Sequence, residues 1–420
     1  MSPIDQSGSL ALSKERRLEL LRRFAPRLHF DALERWRPSL ADPYLERSAF
    51  VGEDEQTAPG TPPAEAAMLE RLEELKSRLN PLDRRPDRKP QKRSNALLQA
   101  YAPAQNLATG GTCYGRVVAG GTNTKFLQYW LFYVDNPCVL PPGRHDGDWE
   151  LVQVRAELLD GSFEATHVTL AGHGKPVTRP FESRSGGPDV YVAVDSHASY
   201  HERGAHPMLP LSDVSVPDLP DPGLMPEVVL LPLDETQLDW AHWHGRWGMD
   251  RGVGTWLALQ LRMKRTPSYM RRLNRVGAGE SPPSPGRQGA SWSQPRSFEL
   301  RGTQRRWTNV AVQRLAHFIG KATWPRSPLE VAVTEVASGS YAIEARPTGH
   351  LARRVTLVSV TFWEERPDGA RRSLAMHSVP AGKLAGPFAI SHEGRLRWRA
   401  AGYNRLRQRG EPIGPGEPAQ

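Results

Sequence analysis

Apolar positions along the chain recur mostly at intervals of two or in short unbroken runs. The three-to-four spacing of a helix is scarce. The longest run, KFLQYWLFYV at 125–134, is nearly continuous and predicts a strand buried on both faces. Residues 150–156 alternate, with Val152, Val154 and Ala156 on one face. Residues 165–170, 190–194 and 228–233 predict further strands, with Pro-rich loops at 207–226 and 280–295. Within 329–405 the runs LEVAVTE, SYAIEAR, RVTLVSVTFWEE and PFAIS are punctuated by turns, the pattern of a small sandwich of the immunoglobulin or fibronectin kind. Helical signals are confined to a basic segment at 13–23 and an amphipathic one at 63–79, where Leu69, Leu72, Leu75 and Leu79 form a stripe.

The expected fold class is therefore mainly β: a central β-sandwich with long loops and few short helices, plus a small C-terminal β-sandwich. The expected division is 1–51 for the first helix and the start of the central domain, and 52–96 for a helical and basic insertion. The central sandwich takes 97–300, a linker 301–327, the second sandwich 328–410 and a disordered tail 411–420. The basic, Pro-broken stretch DRRPDRKPQKR in the insertion is expected to be mobile. No internal repeat of solenoid period is present.

A chain of 420 residues with 38% hydrophobic residues, 37 Gly and 38 Pro can bury a core and still carry long loops. The net charge of +9 is supplied mostly by arginine. It reflects either a GC-rich genome writing Arg for Lys or attraction to an anionic surface, lipid or nucleic acid. Basic stretches at 262–275, 301–306 and 395–409 are expected to be solvated faces, and no nucleic-acid module accompanies them. The two cysteines, Cys113 and Cys138, make no CxxC pair, which argues against a thiolate zinc site. Either a disulfide or two free thiols fits them, depending on compartment. The N-terminus has no apolar signal core, and no window approaches eighteen uncharged apolar residues. The expected location is the cytoplasm unless a dedicated system exports the chain.

The densest polar cluster is Arg144-His145-Asp146-Gly147-Asp148-Trp149-Glu150, at the head of the alternating strand. On a strand, Asp148 and Glu150 share the face of Val152 and Val154. Two carboxylates at the mouth of an apolar core repel each other and are costly to desolvate, and a cation between them removes both penalties. His145 offers a nitrogen from just upstream. Asp135, at the end of the preceding apolar run and just before the turn signal Asn136-Pro137, lands beside them if the two strands pair. Asp135, His145, Asp148 and Glu150 are thus candidate metal ligands for one divalent cation. A mostly oxygen donor set favours calcium or magnesium, with manganese also fitting, over structural zinc. A salt-bridged loop using Arg144 or Arg155 is the alternative.

A second cluster, Asp195-Ser196-His197-Ala198-Ser199-Tyr200-His201, closes the 190–194 run. His197 is a candidate general base or ligand contact, Asp146 a second candidate base, and a hydrogen-bonded structural histidine the plain alternative. There is no GxSxG elbow for Ser196 or Ser199. HERGAH at 201–206 is one residue too long for a zincin motif and is followed by Pro207. In WAHWHGRWG, His242 and His244 have strand spacing for a metal, but the setting suits a packed aromatic loop. No Walker A loop or dinucleotide fingerprint is present.

Several of these blocks together resemble the vacuolar protein sorting-associated protein 62-like family. The residues are Ala25–Asp31 as APRLHFD, Arg35–Ser39 as RWRPS, Tyr129–Tyr133 as YWLFY, and Gly147–Glu150 as GDWE. The blocks VYVA at 190–193, SHASY at 196–200, GRWG at 245–248 and the later SPPSPGRQGASW follow in the same order. That resemblance implies a fold more than an activity. The cluster is also distantly similar to the GHRHDWE motif of the necrosis- and ethylene-inducing peptide-like proteins. There an aspartate, a histidine, an aspartate and a glutamate surround a divalent ion in a β-sandwich. Asp135, His145, Asp148 and Glu150 fall in those places, while Gly147 stands where that motif has a second histidine.

The leading functional expectation is a cation-dependent binding module for a polar lipid headgroup or a glycan at a membrane surface. His197, Tyr200, Trp243 and Trp247 would frame the ligand. The alternatives are a metal-dependent hydrolase of phosphoester type, with His197 or Asp146 as base, and a trafficking or assembly scaffold with a structural ion.

Overall fold

The computed structural model describes residues 12–51, 78–80, 90–137, 144–172, 175–182, 186–207, 212–215, 223–231, 240–243, 245–248, 281–303, 328–404, 410 and 412–419. The fold is mainly β and sandwich-like, with few short helices. The predicted amphipathic helix at 63–79, Cys138, His244 and the basic segment 262–275 lie outside the described residues, apart from Arg78 and Leu79. Those two belong to the strand Arg78–Asn80, which pairs with Ala49–Val51.

The central sheet has six strands. In spatial order they are Glu227–Leu230, Thr112–Ala119, Thr124–Asn136, His145–Leu159, Ser162–Gly172 and Lys175–Pro180. The aromatic run lies at its middle and is buried on both faces, as the unbroken apolar pattern requires. One face is covered by the helix Lys14–Arg23, whose Leu21 carbonyl accepts from Tyr129 Oη at 2.8 Å. The other is covered by the closing segment 281–303. There Gln128 Nε2 donates to Ser291 O at 2.7 Å and Gln153 Nε2 to Pro295 O at 3.0 Å. Arg27–Phe30, Asp189–Val192 and Ser199–Tyr200 form a small three-stranded sheet that shares the same apolar core. This small sheet carries residues 31–37 and 193–198 to the end of the central sheet where the acidic cluster lies.

The C-terminal domain packs the sheet Leu329–Ala337, Ser340–Pro347, Leu384–Ala389 against a second sheet. That sheet consists of Arg371–Pro380, Leu357–Glu365, Arg395–Tyr403 and Ile413–Gly416. Its core holds Val333, Ile343, Val360, Phe362, Leu396 and Trp398. The basic stretch beginning at Arg395 is a strand through Tyr403, with its arginines on the outer face and Leu396, Trp398 and Ala400 buried between them. Two expectations are corrected here. The tail is ordered at Ile413–Gly416, where it pairs with Arg395–Tyr403, and Glu417 takes ion pairs from Arg395 and, at 2.5 Å, Arg397. The Pro-broken basic stretch ends inside the helix Pro90–Tyr101, with Arg93 fully buried. Cys113 is a buried free thiol, and burial raises its pKa beyond any useful ionisation.

Candidate functional site

The strands Thr124–Asn136 and His145–Leu159 pair antiparallel, with Tyr133 opposite Asp148, Asp135 opposite Asp146 and Asn136 opposite His145. The predicted pairing therefore brings Asp135, His145 and Asp148 to one end of the sheet.

The alternation that predicts the site breaks at Gly147. Its φ is +63°, a left-handed conformation glycine adopts without penalty, and an added Cβ would lie 2.3 Å from the Trp247 carbonyl oxygen. Asp148 stays on the face of Tyr133. Asp146, two residues earlier, turns instead to Arg93, whose Nε donates to its Oδ2 at 2.7 Å; Arg93 Nη2 also donates to Oδ2. Both side chains are fully buried. Asp146 thereby joins the side of the sheet where Tyr44 packs on Phe132 and Trp247, and the Tyr44 hydroxyl donates to Trp247 O at 2.5 Å. Burial, with Asp146 next in effect, raises the Tyr44 pKa well above that of a free phenol.

On the opposite face, His197 lies flat on Tyr133, ring centroids 3.9 Å apart. Its Nδ1 donates to Asp148 Oδ2 at 3.0 Å, and its Nε2 faces Glu34 Oε1 at 3.4 Å. Burial pulls the imidazole toward neutrality, but Glu34 and Asp148 outweigh it and push the pKa up to about 10. His197 is thus a buried imidazolium between two carboxylates. Glu34 is held in turn by the backbone N–H groups of Trp36 and Asp195, at 2.8 Å each. Burial raises the Glu34 pKa, yet His197 and those two donors bring it below the ordinary value. The loop that delivers His197 is strained, with φ of +66° at Asp195 and +53° at His197.

His145 joins the network through Asn136. His145 Nδ1 lies 2.7 Å from Gly147 O, which only accepts, so Nδ1 carries the proton. Its Nε2 lone pair accepts from Asn136 Nδ2 at 3.2 Å, and the same amide nitrogen donates to Asp148 Oδ2 at 3.2 Å.

Of the four candidate ligands, the structure joins His145 and Asp148 through Asn136. Asp135 is fully buried one residue before Asn136. Glu150 is half-buried opposite Leu131; burial raises the Tyr133 pKa, with Glu34 and then Glu150 adding to it. Among the described residues, no three His, Cys, Asp or Glu side chains converge as a ready metal-holding group.

The two candidate bases are corrected on physical grounds. His197 is protonated with both nitrogens directed at carboxylates, and Asp146 is clasped by Arg93; neither is poised to take a proton from a substrate. Trp243 and Trp247 are core residues, at 1% and 0% exposure, and not a ligand-facing wall. Trp240, half-buried and stacked on Trp149 at 5.4 Å, is the aromatic nearer the surface. Tyr200 is half-buried and stacks on His206 at 3.6 Å. Glu34, Asn136 and Arg93 are network members that sequence reading missed. Only Asn136 carried a signal there, as part of the Asp-Asn-Pro turn.

Compared with protein-family models and with curated proteins, the chain matches none. No helix among the described residues is long and apolar enough to cross a membrane.

Proposed function

We propose that the chain is a divalent-cation-dependent binding module. The ion is held at the His145–Asp148 end of the central sheet and takes its remaining ligands from a polar lipid headgroup or a glycan at a membrane surface. One observation supports the reading: an imidazole nitrogen and a carboxylate oxygen converge on the Asn136 side chain, each 3.2 Å from its amide nitrogen. A neutral imidazole nitrogen and a carboxylate oxygen are a donor pair suited to Mg²⁺, Mn²⁺ or Ca²⁺. Asp135 and Glu150 lie on the same two strands, at the same end of the sheet. The net charge of +9 supports a partner with anionic groups, by long-range attraction.

A scaffold with no ion is the second reading, favoured by the closed pairing of His197 with Glu34 and Asp148. Two measurements separate them. Elemental analysis of the purified protein, wild type beside Asp148→Ala, should find a divalent ion in the first and not the second. Binding to anionic vesicles or a glycan array should be lost in chelator and restored by Ca²⁺, Mg²⁺ or Mn²⁺. Binding indifferent to chelator removes the proposal.

A further inference from the structure

We infer that Asn136 gates this cation site, closing it with the NH₂ end of its amide and turning that amide over to supply a carbonyl oxygen when the ion arrives. The inference rests on the cation reading above. An amide nitrogen carries two hydrogens and no lone pair. Both hydrogens of Asn136 Nδ2 are directed, one at His145 Nε2 and one at Asp148 Oδ2, each at 3.2 Å. The amide thus presents to these acceptors a partial version of what a cation presents in full.

The two acceptors are fixed from behind. His145 cannot move its proton to Nε2 without giving up the 2.7 Å bond from Nδ1 to Gly147 O. Asp148 is held by His197 at 3.0 Å. Asn136 is the adjustable member, because the terminal torsion of an asparagine is broad and roughly two-fold. Half a turn about it exchanges Nδ2 for Oδ1. With no ion, that sets a carbonyl oxygen against a lone pair and a carboxylate, which is repulsive. With an ion between them, it gives three donors, one nitrogen and two oxygens. Binding then gives up these two amide hydrogen bonds, so the residue at 136 bears directly on the affinity. An aspartate there has no such bonds to give up and adds a full charge.

The test is calorimetric titration of the full chain, stripped with chelator, using Ca²⁺, Mg²⁺ and Mn²⁺ on wild type, Asn136→Asp and Asn136→Ala. Asn136→Asp should bind at least about tenfold tighter than wild type, and Asn136→Ala about tenfold weaker. A second readout uses wild type alone. With asparagine selectively ¹⁵N-labelled, the Asn136 side-chain NH₂ signal, assigned by its absence in Asn136→Ala, should shift when Ca²⁺ or Mg²⁺ binds. If wild type binds an ion while Asn136→Asp binds no tighter, or while that signal stays in place, the gate is overturned and the cation reading stands. If neither wild type nor Asn136→Asp takes up any of the three ions, both fall. Should Asn136→Asp fail to fold, the wild-type signal decides alone.

Discussion

Each side chain at the site is held by a partner that would be costly to remove. Asp148 accepts from both His197 and Asn136 while 6% exposed. Truncating one partner of a buried ion pair leaves the other charge uncompensated. Asp148→Ala should therefore cost about 3–5 kcal/mol in denaturant unfolding, and Asp148→Asn, which keeps an acceptor, distinctly less. Gly147→Ala places a methyl group against the Trp247 carbonyl and forces φ +63° on a residue with a Cβ. A loss of about 1–3 kcal/mol is expected by the same measurement. His197 predicts a pH dependence. Its folded pKa of about 10 lies above the ordinary 6.5, so the folded state binds a proton that the unfolded state has lost. Its contribution is fully present below 6.5 and is lost as pH rises toward 10. Melting temperature should fall over that window in wild type, and His197→Gln should flatten the fall. A wild-type curve level from pH 6.5 to 10 would mean that His197 is not charged in the fold.

At the scale of elements, period-two alternation and unbroken apolar runs located most of the central strands, because burial on one or both faces leaves that pattern directly in the sequence. The strand Arg395–Tyr403 was masked by its own charge. Its arginines pair with Glu365 and Glu417 on the far side of residues buried against the core. The antiparallel pairing that sets Asp135 at the same end of the sheet as His145 and Asp148 was legible too, from the turn signal Asn136-Pro137. Gly147 was not, since a left-handed residue inside a strand breaks the alternation that placed Asp148 and Glu150, and so turns Asp146 away from them. Glu34 and Arg93 were invisible because their partners are more than fifty residues away in sequence. The ordered tail yields a further prediction. Gly416 lies against the Trp398 indole, where an added Cβ would be 2.3 Å from the ring. Deleting residues 412–420 should expose that ring, shifting tryptophan emission to the red and lowering the melting temperature. Unchanged emission would show that the tail contributes nothing to the sandwich.

In the whole molecule, the two sandwiches are docked through the segment that builds the site. Leu33 packs on Ala401 and Tyr403 of the C-terminal domain, with Val194 and Leu357 alongside. Asn95 Oδ1 accepts from Met376 N at 3.2 Å, and Leu107 N donates to Arg371 O at 2.8 Å. Adjacent residues divide the work: Glu34 reaches His197, while Arg35, fully buried and 3.7 Å from Asp195, acts electrostatically on His377 of the second domain. Burial, with Arg35 adding to it, lowers the His377 pKa to about 4. Here the sign is opposite to that of His197. Above pH 6.5 His377 is neutral in both states and costs nothing. Between 6.5 and 4 the unfolded chain takes up a proton that the folded chain refuses, so stability falls as pH falls. Thermal melts from pH 7 to 4 should show that decline in wild type and less of it in His377→Gln. Arg35→Gln should also weaken the slope, by letting the His377 pKa return toward its ordinary value. The Arg35 result is the discriminating one, because that residue belongs to the other domain. A slope unchanged by Arg35→Gln would mean that burial alone lowers the His377 pKa, whereas a reduced slope ties the second sandwich to the segment that carries Glu34.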